Sequence, residues 1–253
     1  MILRSFSLEE EVALIVGGGS EMGLATSLAL AEAGAKVVLA GAEDSDLPKA
    51  VQRIGDRCSY ELFDAGDSKS ASGLLERAAG RFGPPSILVY VPEIFFEGEN
   101  TTLSVEEFTR IFNDHVSTAF ALARSAAPGM IQQKRGAILF IASMAAGLPL
   151  SQTTAYSAVK TALRGLVRTL ATELSPLGVR VNGIESGLID VPQTRKTFEN
   201  DEKRFQYVMN RTPMQSLGEP MDIGCAAVYL CSSASKYITG ISLPVDGGAC
   251  IGF

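Results

Sequence analysis

Val12-Ala13-Leu14-Ile15-Val16-Gly17-Gly18-Gly19-Ser20-Glu21-Met22-Gly23 is the stretch on which the reading of this chain turns. Five apolar, largely branched residues predict a buried strand. Glycines follow, where a tight turn needs backbone freedom, and helical period then runs over residues 21–33 up to Gly34. A helix start after such a turn offers free N–H groups and a positive dipole end to a diphosphate. Gly17, Gly19, Ser20, Met22 and Gly23 are therefore candidate dinucleotide-binding residues. The spacing fits Gly-x-x-x-Gly-x-Gly at Gly17 and Gly23, with Glu21 in the middle place.

The same alternation continues along the chain. Strands are expected at 36–40, 58–63, 87–91, 136–142, 179–184 and 241–245. Helices are expected at 45–55, 68–82, 104–133, 154–174 and 220–231, the third opened by a Ser104/Glu107 capping box. Seven strands alternating with helices predict an α/β fold, a doubly wound, mostly parallel sheet of Rossmann type with helices on both faces. No linker divides residues 1–253, so one domain is expected. Residues 186–218 break the rhythm, being long, charged and strandless; a substrate lid is one reading and an irregular surface excursion the other.

Composition narrows the function. A chain of 253 residues, 46% of them hydrophobic, can bury a large core, and its net charge of −6 argues against a nucleic-acid surface. No apolar run approaches the ~18 residues of a membrane span, and no secretory signal is visible at the start. Cys58, Cys225, Cys231 and Cys250 are dispersed, as free thiols in a reducing cytoplasm would be. With His115 as the one histidine, no histidine-based metal site is expected.

Chemistry is concentrated in Tyr156-Ser157-Ala158-Val159-Lys160, with Ser143 thirteen residues upstream at the end of a strand. Tyr156 and Lys160 share a helix face. A phenol titrates near pKa ~10 and is a poor acid or base at neutral pH. A nearby ammonium is expected to lower that value and make the phenol usable for proton transfer. Ser143 would hold a substrate oxygen against it. A lone pair of this spacing is also common on exposed helices, where it does nothing.

Taken together, the glycine loop, Ser143, Tyr156, Lys160 and the ending Thr239-Gly240 … Val245-Asp246-Gly247-Gly248 resemble the short-chain dehydrogenase/reductase family over the whole chain. The 3-oxoacyl-reductase-like subgroup is the nearest resemblance. It implies hydride transfer between a nicotinamide cofactor and a secondary alcohol or ketone, with Tyr156 as the acid/base. It also implies that Asp64 lies near the adenine, that Lys160 holds the nicotinamide ribose and that Gly187 lines the nicotinamide pocket. Tyr90 and Ile189 join that cofactor-binding set. Asn182 belongs to the shared pattern, and a homotetramer built on the helices at 104–133 and 154–174 is implied.

Several positions depart from the family pattern. Val16 replaces a threonine, Glu21 the middle glycine and Val191 a threonine; Tyr90-Val91-Pro92-Glu93 stands for Asn-Asn-Ala-Gly, and Ser186-Gly187 for Pro-Gly. A carboxylate 4 Å from a diphosphate charge would cost roughly 4 kcal/mol at an effective dielectric of 20. Pro92 lacks an N–H for the cofactor. His115 takes the place of the family's relay asparagine, where it either bridges a water chain or merely packs. Glu43 and Asp44 after the second strand favour NAD over NADP, since no basic residue awaits a 2′-phosphate. Ala145, Ala146, Leu148, Leu150 and the Phe95-Phe96 pair could line an apolar pocket or be ordinary core. Arg195, Lys196, Lys203 and Arg204 could meet an acidic substrate or form a solvated helix face. Because the departures cluster at the cofactor, a second expectation stands beside the enzyme: a weak or inactive member serving as a ligand-binding or assembly partner.

Overall fold

The computed structural model describes residues 2–43, 45–92 and 102–252. Strands β1 (Val12–Val16), β2 (Lys36–Gly41), β3 (Cys58–Leu62), β4 (Ile87–Tyr90), β5 (Gly136–Ser143), β6 (Val179–Ser186) and β7 (Ser242–Val245) form one sheet. Their order is β3-β2-β1-β4-β5-β6-β7, and every adjacent pair is parallel. A parallel sheet needs cover on both faces, which explains why β1 and β4 are buried along their whole length.

Ten α-helices are described: α1 (Ile2–Ser5), α2 (Glu21–Glu32), α3 (Leu47–Ile54), α4 (Ala71–Phe82), α5 (Val105–Phe112), α6 (Thr118–Gln133), α7 (Thr154–Leu174), α8 (Pro192–Phe198), α9 (Glu202–Arg211) and α10 (Pro220–Cys231). Alternate residues of β1 face opposite layers. Ala13 and Ile15 pack with Leu30 of α2, Leu47 of α3 and Ile223 of α10. Leu14 and Val16 pack with Leu74 of α4, Leu122 of α6 and Leu163 of α7.

Several boundaries differ from the sequence expectation. The single helix expected over 104–133 is broken by a π-helical turn at Asn113–Ser117, which carries His115 into the interior. Such an inserted residue re-aims a side chain within a helix at the cost of one regular hydrogen-bond step. Ser143 is the last residue of β5 rather than the one after it, because the Ser143–Ser186 pair still belongs to the β5–β6 ladder. Residues 186–218 are not irregular. They contain α8 and α9 and are pinned at the base by a bridge between Ile189 and Gly218. Helix α8 is only seven residues long and α9 is largely charged and polar, with Met209 its one buried residue, so neither stood out in the sequence.

The sheet order reverses between β1 and β4, and a crevice opens at their carboxyl ends, as at the switch point of any doubly wound sheet. The glycine loop packs directly against the chain leaving β4: a Cβ on Gly17, whose φ is +88°, would lie 2.0 Å from the Val91 carbonyl oxygen. Gly23 allows α2 to sit as close to the same loop, since a Cβ there would lie 2.0 Å from the Gly17 oxygen. No described helix is long and apolar enough to cross a membrane.

Candidate active site

Strand β5 and helix α7 deliver the three candidate proton-transfer residues. Ser143, 5% exposed, ends β5, and its Oγ accepts the Ala145 N–H at 3.2 Å. Tyr156 stands at the third position of α7 and is hydrogen-bonded to Ser143. One turn later Lys160, 4% exposed, donates from Nζ to the Ile141 carbonyl at 3.2 Å and lies 5.4 Å from the centroid of the Tyr156 ring. The helix thus stacks the ammonium over the ring while strand β5 ties both down.

The electrostatics correct one expectation. Lys160 was expected to pull the phenol's pKa down; instead burial pushes Tyr156 above the ordinary phenol value, with only the Ser143 hydrogen bond opposing. Tyr156 keeps some exposed rim, but its hydroxyl lies in a desolvated surround, and desolvation penalises the phenolate. Burial also lowers Lys160, from 10.5 to about 7. The tyrosine therefore rests as the phenol, and the lysine beside it titrates at neutral pH.

A cavity of about 870 Å³ opens over this group, within the range of small-molecule sites. Ser20 and Met22 of the glycine loop, Ser143, Tyr156, Gly187 and Ile189 all line it. Ser20 caps α2 by accepting the Gly23 N–H at 3.0 Å. The N–H groups of Glu21 and Met22, next in the helix, have no acceptor among the described residues. A pair of N–H groups at the start of a twelve-residue helix, beside the cavity, is the donor set a diphosphate needs. The residues present therefore fit a nicotinamide dinucleotide.

A family model described as enoyl-(acyl carrier protein) reductase matches residues 17–250. An uncharacterized oxidoreductase of Mycobacterium tuberculosis is 35% identical over 98% of this chain and 95% of its own length. The chain belongs to the short-chain dehydrogenase/reductase family. Within it, a 2-dehydro-3-deoxy-D-gluconate 5-dehydrogenase of Dickeya dadantii is 31% identical over 98% of both chains. The crystal structure of a gluconate 5-dehydrogenase from Burkholderia cenocepacia, in complex with NADP and tartrate, has a TM-score of 0.92 at 25% identity over 98% of both chains. As a short-chain dehydrogenase/reductase, this chain is an NAD(P)-dependent oxidoreductase acting between a secondary alcohol and a ketone.

The structure places two of the departures from the family pattern. Glu21 is exposed, so its carboxylate is hydrated, and the charge of Arg195 on α8 lies within its field. Pro92 lines the cavity, and the Val91 N–H before it continues the sheet by donating to the Val16 carbonyl at 2.8 Å. Glu93, Asp44, Phe95 and Phe96 lie outside the described residues. Of the other candidates, Asp64 is exposed after β3 and accepts the Gly66 N–H, away from the cavity lining. Asn182 is buried and structural, joining β6 to the segment before β7 through the Ile238 carbonyl and the Ile241 N–H.

Tyr90 and His115, which the sequence showed as separate oddities, are neighbours. The Tyr90 hydroxyl lies 3.4 Å from His115 Nδ1 and 3.4 Å from the Asp114 carbonyl oxygen. Tyr90 is 1% exposed, so it supports the π-helical turn from beneath rather than facing the cavity. His115 Nε2 is buried without a hydrogen-bond partner among the described residues. Burial, and then the charges of Lys160 and Arg110, lower its pKa from 6.5 to about 4.

That shift has a direction in pH. Between pH 4 and 6.5 the unfolded chain binds the proton that folded His115 refuses, so the folded state loses stability as pH falls through that window. Above pH 6.5 both states are neutral at this residue and the loss disappears. A His115→Asn variant is expected to remove on the order of 2 kcal/mol of the difference in unfolding free energy between pH 7 and pH 4.5. Urea titrations of both proteins at the two pH values measure it; an unchanged acid limb would show that His115 does not carry the penalty.

One feature near the site was missed in the sequence. Arg164 grips Glu185 through two bonds, Nε to Oε1 at 2.6 Å and Nη2 to Oε2 at 2.7 Å. Glu185 is 1% exposed and stands just before Ser186, the β6 partner of Ser143. The signal was present: Tyr156, Lys160 and Arg164 recur every four residues along one face of α7. No rule of spacing could have named the partner on another strand.

Proposed function

We propose that this protein reduces a ketone to a secondary alcohol, reversibly, with Ser143, Tyr156 and Lys160 as its catalytic group and NAD as its preferred cofactor. The observation that carries this reading is the convergence of the hydrogen-bonded Ser143 and Tyr156 and the glycine-loop residues Ser20 and Met22 on one cavity, with the buried Lys160 packed against the Tyr156 ring. When bound, a nicotinamide supplies or accepts the hydride. Ser143 would hold the carbonyl oxygen and stabilise the negative charge that grows on it. Tyr156, resting as the phenol, would give that oxygen its proton. Lys160, titrating at about 7, would restore the proton to the tyrosine side of the site and bind the ribose. Gly17, Gly19, Ser20, Met22 and Gly23 would hold the diphosphate, with Gly187 and Ile189 against the nicotinamide and Asp64 near the adenine.

The preference for NAD is supported by Glu43, exposed after β2, where a carboxylate can bond a ribose hydroxyl and would repel a 2′-phosphate. Residues 186–218, with α8 and α9, would act as the lid over the substrate. The homotetramer implied by family resemblance, and a cytoplasmic location, belong to the same reading; Phe120, 46% exposed on α6, suits a subunit contact.

Titration of the purified chain with NADH and NADPH, followed by fluorescence or melting temperature, tests the proposal. NADH is expected to bind at least tenfold more tightly. Tighter NADPH binding would overturn the cofactor assignment, and no binding of either at millimolar concentration would overturn the redox reading.

A further inference from the structure

Arg204, Tyr207, Val208 and Arg211 of α9 all line the cavity above Tyr156. Their spacing of three, four and seven marks one helix face, so α9 turns two arginines toward the space where substrate would sit. Arg211 is the informative one. Its Nη1 donates to the Tyr207 hydroxyl at 2.8 Å, and its guanidinium carbon lies 5.6 Å from the centroid of that ring. Among the described residues it makes no ion pair. Its one side-chain hydrogen-bond partner among them is a neutral phenol, so most of its five donors remain available.

The acids that share this cavity are already engaged. Asp201 accepts the Arg204 N–H at 3.0 Å as the N-cap of α9, and Glu21 lies in the field of Arg195. Neither acid pairs with Arg211. An exposed guanidinium at the rim of the cavity, braced by the exposed Tyr207 and with its charge unspent, matches a planar or tetrahedral oxyanion.

We propose that Arg211, held in place by Tyr207, is an anion subsite of the active-site cavity, and that the substrate is a hydroxy or keto compound bearing a carboxylate or phosphate remote from the reacting carbon. This rests on the reading of the cavity as the substrate site. Of Arg195, Lys196, Lys203 and Arg204, the residues whose sequence pattern admits an acidic substrate, only Arg204 lines the cavity; Arg211 stands outside that set.

Calorimetric titration of the full chain tests the subsite without needing turnover. The probes are tartrate, inorganic phosphate and the uncharged tetrol threitol, each with and without saturating NADH. Wild-type protein is expected to bind at least one of the anions about 10- to 100-fold more tightly than threitol. That preference is expected to vanish in Arg211→Gln, to fall severalfold in Arg211→Lys, which keeps the charge without the fork, and to persist in Tyr156→Phe. Preference for tartrate names a carboxylate ligand and preference for phosphate names a phosphate ester; either supports the subsite. Equal binding of charged and neutral probes by wild type would overturn it, as would full preference retained in Arg211→Gln. Loss of the preference when NADH is present would also overturn it, by showing that the arginine serves the cofactor's phosphates. Should Arg211→Gln fail to fold, Arg211→Lys decides: binding unchanged from wild type would overturn the fork. Failure of NADH to bind would count against the redox reading alone, because the anion preference is read independently.

Discussion

Replacing Tyr156 by phenylalanine is expected to lower turnover by about 10²- to 10⁴-fold, the usual contribution of a positioned acid or base. The reason is local. The phenol proposed as the proton donor is hydrogen-bonded to Ser143, and the Lys160 ammonium lies 5.4 Å from the centroid of its ring. Phenylalanine keeps the ring that packs on Lys160 and removes only the hydroxyl, so NADH binding should change by less than about threefold. Steady-state rates with a proven ketone, together with NADH titration of the same variant, separate the two effects. Full turnover in the variant would end the assignment of Tyr156 as the acid/base. A parallel loss of cofactor binding would mean that the hydroxyl organises the site instead of serving the reaction.

The second large effect concerns stability. Arg164→Met is expected to cost about 3 kcal/mol, because it leaves the Glu185 carboxylate, 1% exposed, without its counter-charge. The arginine is itself 38% exposed and partly hydrated, which keeps the figure at the low end for a buried pair. For a chain of this length the melting temperature should fall by roughly 6–12 °C. The double variant Arg164→Met/Glu185→Leu should regain most of it, since an apolar pair of similar volume needs no counter-charge. Calorimetric melting of the three proteins decides the matter. A single variant as stable as wild type would show that Glu185 finds other solvation. The pair also joins α7, which bears Tyr156 and Lys160, to the strand next to Ser143, so loosening it should be felt at the site.

Much of the molecule was legible because its strands are buried on both faces. Continuous apolar runs such as Ile87-Leu88-Val89-Tyr90, punctuated by glycine and followed by helical period, leave little choice but a doubly wound parallel sheet. The 154–174 helix was readable to its ends, since α7 carries a regular apolar stripe through Val159, Leu163, Val167 and Leu170. The helix at 104–133 was readable only in outline. The π-helical turn at Asn113–Ser117 leaves no periodic mark, because one extra residue shifts the phase without changing composition. The helices of the 186–218 segment were missed because they are short and rich in charged and polar residues, which reads as readily as loop.

By itself the sequence determined the fold, the glycine loop and the Ser143, Tyr156, Lys160 group, because local spacing and burial pattern are properties of neighbours along the chain. Tertiary structure alone decided how those groups are charged. Burial sets Tyr156 as a phenol and brings Lys160 to about 7, and desolvation depends on what packs around a side chain, not on what precedes it. Tertiary structure also decided the pairings across elements: Tyr90 with His115, Arg164 with Glu185, and Arg211 facing the same cavity as Tyr156. Each joins residues tens of positions apart, and only the folded sheet brings them within bonding distance or around one space.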